Sequence, residues 1–355
     1  MKIMDFLPTN CKNCYKCVRN CDVKAIRIVN DQAEIIEDNC IGCGNCFVVC
    51  PQNAHNIKSD ILAIKDAMSS NKKMIVSLAP SYFGVYKYPK KLINAIKKLG
   101  FEIIEETAIG AEIVSDLYKK HIENQADRRP LISSCCPSVN LLIQRYYPDL
   151  LHNLLPVVSP MIAHSMLLKE KYGQDSFITF IGPCISKRCE AFGYQEAGAI
   201  DAILSFEELD NWLKDQDIFI NDQPECEPNQ GASSYGQKYP LEGGIICGIR
   251  DTLKENSYKS LTVQGTQSCK DLFQHLSENS LDGLFIEANI CINGCAGGPA
   301  ISKEANNVNL RKLQIRENLN EELIPNKSIS TDNNFERHFS KKPVIKTIAS
   351  SEDIK

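Results

Sequence analysis

The 355-residue chain carries 40 basic and 44 acidic side chains, a formal net charge of −4 and 43% hydrophobic residues, enough for two or three domains with real cores. The charges are mixed and no apolar run approaches 18 residues, which excludes a basic nucleic-acid surface and a membrane span. No signal-peptide core follows Met1-Lys2-Ile3, so a cytoplasmic protein is expected. Seventeen cysteines are many for a cytosolic chain, and disulfide frameworks belong to small secreted domains; metal or cluster ligation is the better account.

Taken in order, the chain opens on an internal repeat. Cys11-x2-Cys14-x2-Cys17-x3-Cys21 recurs as Cys40-x2-Cys43-x2-Cys46-x3-Cys50, followed by Pro51. This is the two-cluster ferredoxin spacing, in which the fourth cysteine of each run ligates the other cluster. Cys11, Cys14, Cys17 and Cys50 should hold one 4Fe–4S cluster, and Cys40, Cys43, Cys46 and Cys21 the second. A structural zinc reading competes, but the doubled order of eight cysteines argues against it.

Residues 60–73 show helical spacing of Ile61, Leu62, Ile64, Ala67 and Met68. A strand Met74–Leu78 follows, then helices over 90–99 and 109–121, a short strand Leu131-Ile132, a helix 139–147 and a strand 177–181. That alternation predicts a doubly wound α/β domain. Residues 221–240, polar and rich in Gly and Pro, read as a surface loop. The expected domains are a ferredoxin-like part over 1–58, a main α/β domain over 59–323, and a polar, flexible tail over 324–355.

Three apolar runs, Leu131-Ile132, 177–181 and 284–286, each lead into cysteines: Cys136, Cys184, and Cys291 with Cys295. Ligands collect outside the carboxyl ends of parallel strands. Convergence of these three ends would bring four thiols together, the ligand set of a cubane cluster.

With Ser133-Ser134-Cys135-Cys136-Pro137, Pro183-Cys184-x2-Lys187-x2-Glu190 and Glu287-x3-Cys291-x3-Cys295, the chain resembles the FeFe-hydrogenase (iron-only hydrogenase) family over nearly all of residues 11–300. The wording around Ser77–Ser81, Val158–His164 and Gly182–Ile185 is similar to its sensory-type members. The resemblance implies an α/β H-cluster domain, two lobes of sheet flanked by helices, preceded by a small α+β ferredoxin domain. It implies Cys136, Cys184, Cys291 and Cys295 as cubane ligands, with Cys295 bridging to a two-iron unit that carries CO, cyanide and a dithiolate. It also implies Cys135 as proton donor, Lys187 beside one cyanide, and Pro80 with Ser81 beside the other. Asn289 stands where the most active members carry methionine, and Leu117 and Tyr118 fall where the relay glutamates would align. Slow hydrogen activation (H2 = 2 H+ + 2 e−) is therefore expected. Its partners would be H2 and protons, a redox partner such as ferredoxin, maturation proteins, and a kinase or phosphatase if the protein is a sensor.

Two other readings stand beside the enzyme: a hydrogen sensor using the same cluster, and a non-catalytic iron–sulfur scaffold lacking the two-iron unit. Glu287 reads equally as a site carboxylate or as a structural partner. Cys189, Cys226, Cys247 and Cys269 lack cluster spacing and read as small hydrophobes, and His164 as a satisfied helix histidine.

Overall fold

The computed structural model describes residues 4–193, 198–279, 281–302, 304–319 and 334–345. In the ferredoxin-like part, strand Met4–Phe6 pairs antiparallel with His55–Ile57, and Ile26–Val29 with Gln32–Ile35. Two short helices, Lys16–Arg19 and Asn45–Val49, follow the two cysteine loops.

The main domain has two parallel sheets. One orders Ile103–Glu106, Met74–Leu78, Phe177–Gly182 and Ala202–Ser205, with the two inner strands buried along their whole length. The other orders Lys259–Gln264, Leu284–Asn289 and Leu131-Ile132. Continuous apolar strands are what sheets covered on both faces require. The alternation in sequence is thus resolved as two lobes, and the cysteine-bearing strand ends come from both: Phe177–Gly182 from the first sheet, Leu131-Ile132 and Leu284–Asn289 from the second.

Local sequence sets the helix starts. Proline occupies the first turn of Pro89–Lys98, Pro137–Tyr146 and Pro160–Tyr172, where its missing N–H costs nothing. Ser205 and Glu208 close a capping box on Phe206–Asp215. The helix Ile61–Ser69 joins the two parts and ends four residues before the expected limit.

Two stretches depart from the sequence expectation. Residues 229–237 are more than a surface loop: Asn229 N donates to Ile104 O (2.7 Å), Glu106 N to Gln230 O (3.1 Å), and Ala232, Ser233 and Gln237 are buried beside the edge strand. Residues 334–345, expected in the flexible tail, lie as a strap. Val158 N donates to Phe335 O (3.0 Å), Arg337 N to Pro156 O (2.9 Å), and Asn39 and Ile345 exchange two hydrogen bonds. Residues 324–333 and 346–355 of that tail lie outside the described residues.

The ferredoxin-like part docks closely. Gly44, at φ +76°, faces Ile185 and Pro299 so tightly that a Cβ would come within 2.6 Å of Ile185 Cδ1. Arg145 Nη1 donates to the Glu37 (2.8 Å) and Cys40 (2.5 Å) carbonyls, and Tyr146 Oη to Asn39 O (2.7 Å).

Candidate functional site

The structure gathers one of the two expected N-terminal sets around a single space. Cys11, Cys14, Cys17 and Cys50 line one small cavity. Burial, reinforced by the charges of Cys50 and Cys11, raises the Cys17 thiol. In the second set, burial pushes Cys43 up to about 12, with Cys40 and Cys21 adding to it. Burial together with Cys40, Cys43 and Cys21 likewise raises Cys46. Backbone amides already point at sulfur: Ala25 N to Cys21 Sγ (3.2 Å), Gly42 N to Cys40 Sγ (3.4 Å) and Ala54 N to Cys50 Sγ (3.3 Å). Such donors stabilise a sulfur that carries negative charge, as a cluster ligand does.

Between the lobes lies a cavity with about 940 Å3 of empty space, its mouth included. Cys136, Cys184, Cys291 and Cys295 all line it, as do Cys135, Lys187, Pro80, Ser81 and Asn289. Burial raises the Cys184 thiol to about 11 and raises those of Cys291 and Cys295 further; the neighbouring Cys136 adds to all three, and Cys184 to the last two. Thiols buried this way hold their protons until a cation replaces them. Among the described residues, no three His, Cys, Asp or Glu side chains lie close enough to share a single metal ion. A four-iron cluster spreads its ligands around a volume, and a cavity walled by thiols offers that arrangement.

The rest of the wall suits an anionic group. Ser81 Oγ and Ser186 Oγ are buried there without a protein partner, a costly state unless something else accepts their protons. Lys187 Nζ donates to Glu190 Oε2 (2.7 Å) and to Cys135 O (3.3 Å), which leaves a third N–H for a ligand. Burial opposes its charge, but Glu190, with Cys184 nearby, outweighs this and holds the ammonium on. Glu190 is fully buried and also accepts from Ser159 Oγ (2.8 Å) and Arg337 Nη1 (2.7 Å). Despite burial, the two cations keep that carboxyl below its usual range.

Cys135 is pushed up to about 12 by burial, against the Tyr118 hydrogen bond and the Lys187 charge. Its Sγ lies 3.3 Å from Tyr118 Oη. The remaining candidate, Glu287, faces elsewhere: its carboxylate accepts from Gly243 N (2.8 Å) and Ile246 N (3.0 Å) at the start of helix Gly244–Glu255, and it is not among the cavity-lining residues. Burial lifts it to about 7.

Sequence reading missed Tyr118, Ser186 and Tyr239 as site residues. The available signal was weak: Tyr118 shares a helix face with Val114, Ala111 and Ile122, so it reads as core. Cys269 and Cys189, read as small hydrophobes, border the site. Cys269 Sγ donates to Asn289 O (3.6 Å), and Cys189 shares a groove with Cys40 and Arg145.

A paired cysteine-loop module docked on two parallel-sheet lobes, with a thiol-walled cavity between them, defines an iron–sulfur protein of the hydrogenase type. Residues 72–299 match the family described as "Iron only hydrogenase large subunit, C-terminal domain", and the chain belongs to it; residues 10–54 match "4Fe-4S dicluster domain". "Iron hydrogenase 1" of Clostridium pasteurianum is 26% identical over 90% of this chain and 69% of its own length. "NADP-reducing hydrogenase subunit HndD" of Solidesulfovibrio fructosivorans is 22% identical over 68% of this chain, which spans 48% of that relative. "Cytosolic Fe-S cluster assembly factor NAR1" of Vanderwaltozyma polyspora is 22% identical over 66% of this chain and 52% of its own length. In fold, a variant of the FeFe-hydrogenase HydA1 from Chlamydomonas reinhardtii superposes with a TM-score of 0.57 at 17% identity, covering 73% of this chain and 88% of that one. No helix among the described residues is long and apolar enough to cross a membrane.

Proposed function

We propose that the chain activates hydrogen at the inter-lobe cavity, with electrons relayed through two 4Fe–4S clusters, and that it turns over slowly in a hydrogen-sensing role. The observation that carries this reading is the cavity wall itself, where Cys135, Lys187 and Ser81 stand among the four thiols of Cys136, Cys184, Cys291 and Cys295. A scaffold would need the thiols alone.

Cys136, Cys184, Cys291 and Cys295 would hold the cubane of an H-cluster, and Cys295 would also hold its two-iron unit. When bound, that group supplies the metal chemistry for H2 = 2 H+ + 2 e−. The protein's own contribution is charge and protons. Lys187, clamped by Glu190, offsets the negative charge of a buried anionic group. Cys135 keeps its proton at neutral pH and can hand it over at Sγ inside the cavity, with Tyr118 Oη fixing the thiol. Cys43 lines the same cavity, so the second ferredoxin set lies against the wall of the thiol cage and electrons have a short way out. Asn289 in the wall replaces a thioether with an amide, which fits slow turnover. Electrons leave to a redox partner, and a kinase or phosphatase would read the sensory form.

The similarity to NAR1 supports a second reading, an iron–sulfur assembly factor without the two-iron unit. Co-expression with hydrogenase maturation proteins followed by infrared spectroscopy separates the two. Bound CO and cyanide bands are expected, and their absence from fully matured preparations sinks the hydrogenase reading.

A further inference from the structure

The hydrogen bonds around Cys135 lead nowhere. Tyr118 Oη accepts from Ser134 N (2.7 Å) and lies 3.0 Å from Ser134 Oγ, and that hydroxyl donates to the Val157 carbonyl (2.8 Å), which has no proton to pass on. The opposite wall differs. Thr107 lines the cavity beside Ala79, Pro80 and Ser81. Its Oγ1 is 2.7 Å from Ser77 Oγ, which is 2.8 Å from His164 Nδ1. His164 Nε2 faces Glu105 Oε2 at 3.5 Å, long for a hydrogen bond, and neither atom has a hydrogen-bond partner. Glu105 Oε1 then accepts from Tyr172 Oη (2.5 Å) and Lys171 Nζ (2.7 Å), and Lys171 is 40% exposed.

We propose that Thr107, Ser77, His164 and Glu105 form a proton path between the cavity and the surface at Lys171, an inference that rests on the hydrogen chemistry proposed above. Ser77, His164 and Glu105 are fully buried, and a core position gains nothing from an ionisable chain that apolar residues could replace. The spacing is built in. Gly110 brings helix Ala108–Glu123 so near helix Pro160–Tyr172 that a Cβ would fall 2.1 Å from Pro160 O and 2.8 Å from His164 Cβ.

With its proton on Nε2, His164 accepts at Nδ1 from Ser77 Oγ and turns its N–H toward Glu105, while Lys171 and Tyr172 donate to Glu105 from the outer side. Burial keeps His164 neutral, and ionised Glu105 favours the tautomer with the proton on Nε2. Burial alone would raise Glu105, but the facing His164 imidazole and the hydrogen bonds from Lys171 and Tyr172 hold it at about 2, so it keeps an added proton only briefly. In outward transfer, a proton arrives at Thr107 Oγ1, whose own proton moves to Ser77, and that of Ser77 moves to Nδ1. Nε2 releases its proton to Glu105 Oε2. Glu105 passes one to Lys171 as the Lys171 ammonium gives one to water. One proton enters, one leaves, and no electrons move.

The test uses the full chain, cluster-loaded and labelled with 15N-histidine. Solvent exchange of the His164 Nε2 proton should slow at least about tenfold in Glu105→Gln and in Lys171→Met. In matured protein, Ser77→Ala should lower H2 oxidation at least about tenfold while the CO and cyanide bands stay in place. Exchange unchanged in both variants, or turnover unchanged in Ser77→Ala, overturns the path. If the parent shows no H2 turnover at all, the hydrogen reading has failed, and the exchange rates still decide whether the path conducts.

Discussion

Glu190 joins the cavity to the C-terminal strap, and its removal is the most informative single perturbation. Its side chain is fully buried between Lys187 and Arg337, whose side chains are 11% and 3% exposed. Glu190→Gln keeps the shape and leaves two buried cations facing a neutral amide. Breaking one buried pair this way costs about 3–5 kcal/mol. For a domain of this size that lowers Tm by roughly 6–15 °C. Arg337→Met alone should cost less, because Lys187 still pairs with Glu190. In the double variant the two losses should fall short of their sum by about 1–3 kcal/mol. Thermal melts of the four proteins, followed by circular dichroism, supply the numbers. A Glu190→Gln protein melting within about 2 °C of the parent would refute the claim that this carboxylate compensates both cations.

Three further outcomes follow from the same geometry. Tyr118→Phe leaves the buried Ser134 N–H without its acceptor and should cost about 1–3 kcal/mol in denaturant titrations; it should also slow proton delivery through Cys135, and an unaltered turnover would deny Tyr118 a role there. Glu287 titrates near 7 in the fold against an ordinary 4.5. The folded state therefore binds the extra proton between these values, and this group's stabilisation is complete below 4.5 and lost as pH rises through 7. At 1.36 kcal/mol per pH unit the loss approaches about 3 kcal/mol, and Glu287→Gln should flatten stability over that range. Finally, Cys50→Ala should remove the cluster held by Cys11, Cys14 and Cys17, whereas Cys21→Ala should remove the one held by the second loop. Electron paramagnetic resonance of the reduced variants checks this, and loss of the opposite cluster in either would break the crossed assignment.

How much of this was written in the sequence depends on what constrains each residue. The eight N-terminal cysteines obey tight spacing and could be grouped before any coordinates. Cys136, Cys184, Cys291 and Cys295 lie far apart and were grouped only by the three strand ends that precede them and by family resemblance. The fully apolar strands Met74–Leu78 and Phe177–Gly182 were legible because both their faces are covered. Tyr118 and His164 were not: each lies on a helix face shared with core residues, and hydroxyl or imidazole pairing across elements leaves no periodic trace. The strap at 334–345 escaped for a similar reason. It is held by one buried phenylalanine, one buried arginine and scattered backbone bonds, and none of these repeats along the chain.

The most direct measurement is the iron and acid-labile sulfide content of the chain after anaerobic reconstitution without maturation proteins. Three cubanes give about twelve irons per chain, and alanine at Cys136, Cys184 or Cys291 should reduce this to about eight with the ferredoxin signals retained. A parent that binds only about eight irons, or cage variants that lose none, would contradict the convergence of those four thiols on one cluster.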